Sequence, residues 1–356
     1  MARLFRAVAE SLVEGGCVAN TVVEGALNVT RLVKTVGAAR AFDRSQRVPE
    51  QTPDQSQFNM RQAMSLDPRI GKMLSKVAFR NPGPFAWQVS DPSGSHFIDP
   101  NEVDAAVAGV RADGFYVFHT PAPAHLVHPI REYAERVPCE ARGAGRPLEV
   151  YPRANPDVGR YDIHEEQALG CAEVQDFATD PAMALVAQRY LGQPVIMDEV
   201  AFWWTTTKRA EDANLNAQLF HQDRDRLSFL KFFMYLTDVD TNTGAHVYVR
   251  GSHRNIPRSL RADGRLTDDA VRAAGLWENV TELVGPAGTI MAVDTIGLHK
   301  GKTPVSSDRL ALENEFSTSL FGMDYERPEF TPTDLVRKRY AEMPFVLQRY
   351  STALST

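Results

Sequence analysis

A chain of 356 residues with 43% apolar and 24% charged residues has the composition of a soluble globular protein, with room for one large domain plus an extension. Its formal net charge of −6 gives no electrostatic reason to expect a nucleic-acid partner. Three cysteines, Cys17, Cys139 and Cys171, are widely spaced and odd in number, and they read as free thiols in a reducing, cytoplasmic setting.

No run of roughly eighteen apolar residues is present, which excludes a spanning helix. Glu10 and Glu14 break the apolar region that a cleaved signal peptide needs. Residues 1–42 are predicted to form a helical N-terminal extension. Leu4, Phe5, Val8, Leu12 and Val13 fall at helical spacing, as do Val22, Val23, Leu27, Leu32, Val33 and Val36 beyond Gly15-Gly16. Five basic and three acidic residues in this segment leave open a weak membrane or partner contact through residues 1–41. The preferred reading packs it on the rest of the chain or on a second copy in a homo-oligomer. Residues 43–57 are polar without apolar periodicity and read as a linker. Residues 58–99 form a mixed connecting segment, with a helix expected within Gln62–Phe79 and turns at Pro82, Pro84 and Pro92.

A new pattern begins near Pro100. Asn101 is placed to cap a helix running through Val110, Gly114–Phe118 reads as a strand, and residues 124–136 read as a helix. Asp180-Pro181 starts another helix that ends near Gly192. From Pro194 onward strands dominate: 195–206, 229–236, 246–249, 289–293 and 310–321. Short strands with intervening turns predict a mainly β fold with flanking helices, a double-sheet jelly roll over residues 100–330, followed by a helical tail at 331–356. No internal repeat is visible.

Within the strand-rich region, His221 and Asp223 lie two residues apart, so on an extended segment they project from one side. Two His and one carboxylate on one face of an octahedral metal leave the other face open, as a non-haem Fe(II) oxygenase requires. His299 is the candidate third ligand, with His246 and His253 as competitors. Arg309 lies ten residues after His299, where a planar guanidinium would clamp a carboxylate.

The stretch from Phe220 to Arg254 resembles the phytanoyl-CoA dioxygenase family. Its motifs are His221 and Asp223, then Leu236-Thr237-Asp238-Val239-Asp240, Gly244, and Gly251-Ser252-His253. The block GPAGTIMAVDTIGLHKGKTPVSSDRLALENEF is similar to the family's second half, with the distal His and the Arg before the last core strand. The resemblance covers residues 100–325. It implies a double-stranded β-helix of the cupin type, with Fe(II), 2-oxoglutarate and O2 as cofactors. It also implies iron ligation by His221, Asp223 and His299, and 2-oxoglutarate binding by Arg309. The family spacing leaves His253 too close to the His-x-Asp turn to be the distal ligand.

Other residues are candidates on their own chemistry. Lys231 interrupts an apolar strand, so its amine either reaches an anion such as 2-oxoglutarate or an acidic substrate, or snorkels to the strand edge. Arg160, Tyr161, Trp203 and His246 are candidate substrate contacts, with His246 a pocket or packing residue. The activity implied is hydroxylation of an unactivated C–H bond in a small-molecule substrate, with release of succinate and CO2. The alternative is a jelly-roll metal- or ligand-binding protein without turnover, which would have no use for Arg309. The identity of the substrate is not legible.

Overall fold

Side-chain alternation organises the fold, because the central strands bury both faces. In the computed structural model, which describes residues 18–43, 51–79, 89–208 and 217–354, the strands follow in chain order. They are β1 (Phe115–Val117), β2 (Pro138–Ala141), β3 (Glu149–Val150), β4 (Arg160–Ile163), β5 (Ile196–Thr205), β6 (Phe229–Tyr235), β7 (His246–Val249), β8 (Val280–Leu283), β9 (Ile290–Val293), β10 (His299–Gly301) and β11 (Arg309–Ser317). One sheet has the order β1-β9-β6-β11-β5-β4-β2-β3, the other β10-β7-β8, and the strand pairs are antiparallel. Leu4–Val13, Cys17, Pro82 and Pro84 lie outside the described residues.

On β11, Leu310, Leu312 and Phe316 turn to the core that the helices cover, together with Phe202 and Trp204 of β5 and Leu230, Phe232 and Met234 of β6. The alternate residues face the second sheet. Trp203, Phe233, Tyr235, Met291, Val293 and Ala311 from the large sheet meet Tyr248 and Leu283 from the small one in a second apolar cluster. After β5 the chain passes beside β10 through the His221–His299 bridge, then alternates: β6 large, β7 and β8 small, β9 large, β10 small, β11 large. This alternation is a double-stranded β-helix.

The helix Pro181–Leu191 lies on the outer face of the large sheet, with Leu185 and Ala187 in that core. Asp180 caps it by accepting from the Ala182 and Met183 amides at 2.9 and 3.2 Å. The helix Val103–Asp113 ends at Gly114, whose φ of 92° permits the turn into β1; a Cβ there would lie 2.3 Å from the Tyr248 hydroxyl.

The N-terminal helix Val18–Asp43 buries Leu32 and Ala39 in a cluster with Met60, Leu74, Leu227 and Phe321, and Phe42 meets Phe321 edge-on at 5.6 Å. Of the expected linker, residues 51–57 are described apart from Asp43 and are ordered against the rest of the chain. The helix Asp54–Met64 begins inside this linker. Gln51 exchanges two hydrogen bonds with the Tyr325 backbone, and Thr52 accepts from the Gly322 amide at 2.9 Å. Gln51 and Thr52 therefore make tertiary hydrogen bonds just before the helix starts, and of the two only Thr52 is buried.

Lys72, on the helix Ile70–Ala78, ties this segment to the sheets. Its Nζ reaches Asp294 Oδ2 at 2.8 Å and the Tyr190 hydroxyl at 2.6 Å, and the Asp294 side chain is fully buried. Lys72→Met is expected to lower the unfolding free energy by about 3 kcal/mol, the low end for removing one partner of a buried pair, because Lys72 keeps some solvent contact. A urea midpoint unchanged from the parent would show that Asp294 does not need its cation.

Candidate metal centre

His221 and His299 face each other across an isolated antiparallel bridge, with the His221 amide donating to the His299 carbonyl at 2.9 Å and the reverse bond at 3.0 Å. The Asp223 amide donates to the Thr295 carbonyl at 2.9 Å, which fixes the carboxylate next to both rings. The donor atoms of His221, Asp223 and His299 all lie within 4.8 Å of one another. His221 Nε2 and His299 Nε2 are each 3.6 Å from an Asp223 oxygen.

The second hydrogen bond of each imidazole sets its tautomer. His221 Nδ1 lies 2.9 Å from the Leu219 carbonyl and His299 Nδ1 lies 3.0 Å from the Gly297 carbonyl. A carbonyl only accepts, so Nδ1 carries the proton and the Nε2 lone pair points into the site. Burial pushes His221 down to about 3, with the neighbouring His299 adding to the effect, and burial lowers His299 as well. Burial opposes ionisation of Asp223, but Lys231, His299 and His221 together hold it below the usual carboxylate range. The centre therefore offers two neutral imidazoles and one carboxylate, a donor set that fits an octahedral Fe(II) with an open face.

Arg309 starts β11 on the same inner face. Its guanidinium is buried, donating to the Gly244 carbonyl and, at 3.1 Å, to the Thr205 hydroxyl. Nε is buried without a hydrogen-bond partner, and among the described residues no carboxylate pairs with the guanidinium. Burial presses its pKa below the ordinary arginine value. A buried guanidinium without a carboxylate partner has the chemistry to receive an anion. Arg309 Nη2 approaches Gly301, two residues along β10 from His299, which sets it on the order of 7 Å along the strand from the candidate ligand.

Of the other expected residues, His246 and Trp203 lie on the inner faces. The His246 ring is parallel to that of His299, with centroids 5.4 Å apart. The Arg160 guanidinium sits over the Trp203 ring at 4.4 Å and bonds Asp162. Tyr161 is not brought to the site. Period two along β4 turns it to the opposite face, where it is fully buried in the helix-covered core with its hydroxyl on Asp157.

Lys231 also departs from expectation. It does not snorkel, and its ammonium lies 3.0 Å from Glu313, 3.3 Å from Asp223 and 3.4 Å from Glu315. With Asp225 at 4.0 Å, four carboxylates surround the ammonium, so its charge is matched within the protein. Lys231 instead pairs with the Asp223 carboxylate. Glu199, Glu313 and Glu315 complete a carboxylate group whose oxygens lie within 4.8 Å of one another. Burial, against the pull of Lys231, raises Glu313 to about 7. These acids were missed in the sequence, although Glu313 and Glu315 interrupt an apolar strand at period two.

The phytanoyl-CoA dioxygenase (PhyH) family model matches residues 110–310, more than half of the chain, and the protein belongs to that family. Its members are Fe(II)- and 2-oxoglutarate-dependent enzymes that use O2, and this is the class in which fold and donor set place the chain. No curated protein matches it in sequence. Solved structures that resemble it include the non-haem alpha-ketoglutarate-dependent epimerase SnoN from nogalamycin biosynthesis (18% identity, TM-score 0.43, 61% of this chain and 84% of that one). EctD from S. alaskensis with bound Fe shares 17% identity at a TM-score of 0.44, over 59% of this chain and 75% of that one. HygX from Streptomyces hygroscopicus with nickel and 2-oxoglutarate shares 17% identity at a TM-score of 0.40, over 61% and 88%. At these scores the likeness adds nothing to the family match. Among the described residues no helix is long and apolar enough to cross a membrane.

Proposed function

We propose that the protein is a hydroxylase that inserts oxygen into an unactivated C–H bond of a small-molecule substrate, with 2-oxoglutarate converted to succinate and CO2. The observation that carries this reading is the pairing of a two-His, one-carboxylate centre with a buried arginine that lacks an anion. In this reading His221, Asp223 and His299 hold Fe(II), and Arg309 clamps the far carboxylate of 2-oxoglutarate through its planar fork. Bound Fe(II) with 2-oxoglutarate and O2 supplies the oxidising power through oxidative decarboxylation.

The chain's own residues do the positioning. The Leu219 and Gly297 carbonyls hold the imidazoles in the metal-binding tautomer, and Lys231 keeps Asp223 ionised and fixed. Trp203 and Phe233, buried on the inner faces, exclude water from the space between the sheets. Asp223 fills a ligand position that a glycine or alanine would leave open to halide, which favours hydroxylation over halogenation. A non-catalytic metal-binding module would not require a buried guanidinium at the start of β11.

The test is anaerobic loading with Fe(II) and 2-oxoglutarate, followed by O2 and a metabolite extract. Succinate and a product heavier by one oxygen atom are expected. A protein that binds Fe(II) but forms no succinate under any substrate would remove the enzymatic reading.

A further inference from the structure

His246 has a geometry that a packing residue would not need. It begins β7, is 7% exposed, and its Nε2 is buried without a hydrogen-bond partner. A buried ring nitrogen left unpaired costs on the order of 1–3 kcal/mol, so such an atom inside a site marks a missing ligand contact. The ring is held from two sides. It lies parallel to His299, and Phe233 from the opposite sheet packs against it at 4.9 Å. Its backbone amide is tied at 2.9 Å to the Tyr235 hydroxyl, which itself donates to the Leu283 carbonyl at 2.8 Å.

The position of His246 along the strands relates it to the cosubstrate. β7 pairs with β10 so that His246 stands opposite Gly301, the residue that Arg309 Nη2 approaches. Arg309 also donates to the carbonyl of Gly244, two residues before His246. His246 thus contacts the metal ligand His299 on one side and adjoins the arginine on the other.

We propose that His246 is a positioning residue for 2-oxoglutarate, its Nε2–H donating to the carboxylate that Arg309 clamps. Arg309 is held by Gly244 and Thr205 and supplies the charge, while His246 supplies a second direction and so fixes the angle at which the dicarboxylate enters the centre. The inference rests on the oxygenase reading above and adds a specific contact to it.

The experiment measures 2-oxoglutarate binding by calorimetry to the anaerobic, Fe(II)-loaded full chain. His246→Phe keeps a ring between His299 and Phe233 and removes the donor. It is expected to weaken 2-oxoglutarate binding roughly tenfold or more, the loss of one hydrogen bond to a charged group. Fe(II) affinity should stay within about twofold. His246→Gln, which returns an N–H donor, should recover part of the affinity. In turnover the KM for 2-oxoglutarate should rise in His246→Phe with kcat little changed. If His246→Phe does not fold, His246→Gln and His246→Leu are compared instead, with the same ordering of affinities expected. Binding by the parent that these substitutions leave unchanged overturns the inference alone. No 2-oxoglutarate binding by the Fe(II)-loaded parent overturns the oxygenase reading and the inference with it.

Discussion

His221→Ala, Asp223→Ala and His299→Ala are each expected to abolish Fe(II) binding and turnover while the fold persists. The three donors lie within 4.8 Å of one another and no other described His, Cys, Asp or Glu donor joins that group, so loss of one leaves two weakly held ligands. The effect should exceed the 10–100-fold loss typical when only an outer partner of a metal ligand is removed. Asp223→Ala also withdraws one carboxylate from Lys231, but Glu313 at 3.0 Å and Glu315 at 3.4 Å still satisfy the ammonium, so melting should shift less than iron affinity. Calorimetric titration with Fe(II), together with thermal melting of the metal-free protein, separates the two effects. A variant with parental iron affinity would remove that residue from the centre.

Arg309→Ala is expected to raise the 2-oxoglutarate requirement by about two orders of magnitude, with Fe(II) affinity nearly unchanged. A bidentate charged pair is worth several kcal/mol in a buried setting, and about 1.4 kcal/mol is a factor of ten in affinity. Part of the loss will be structural, because alanine also leaves the Gly244 carbonyl and the Thr205 hydroxyl without their donor. Arg309→Lys keeps the charge and isolates the fork: it should restore only part of the affinity, since an ammonium presents no planar pair of donors. The KM for 2-oxoglutarate in succinate release is the readout, with melting temperature as the control. Parental response to 2-oxoglutarate in both variants would reject the assignment.

The features of the candidate site that follow from short-range spacing were legible in the sequence. His221 and Asp223 share a face because they are two apart, and the long strands Ile196–Thr205 and Phe229–Tyr235 have bounds close to those expected. His246–Val249 matches the expected strand end for end. β2, β3, β4, β8 and β10 were not legible, since unlike the equally short β7 and β9 they carry no apolar run and exist through their partners. The helix Asp54–Met64 was hidden by its polar sequence; Met60, Ala63 and Met64 fold onto Leu32, which lies outside any local window. Tyr161 was assigned to the site from its neighbourhood, and one step of alternation turned it away. The engagement of Lys231 by acids depends on the register that sets Glu315 opposite it, which no spacing in the chain reveals.

The alternation of the chain between the two sheets bears on how the protein reaches its native state. The first two candidate iron ligands and the third are separated by a long stretch that includes β6 to β9, so the centre closes only after several strands have paired. Contacts of such sequence separation form slowly, because the closure entropy is lost before the pairing compensates it. Iron then acts as a cross-link between early and late parts of the chain. Since it binds the closed form and not the open one, its affinity adds directly to stability, about 2.7 kcal/mol at a free concentration a hundred times its dissociation constant. Metal-free protein should accordingly unfold at lower temperature than the loaded form, and stripping iron should speed unfolding more than it slows folding.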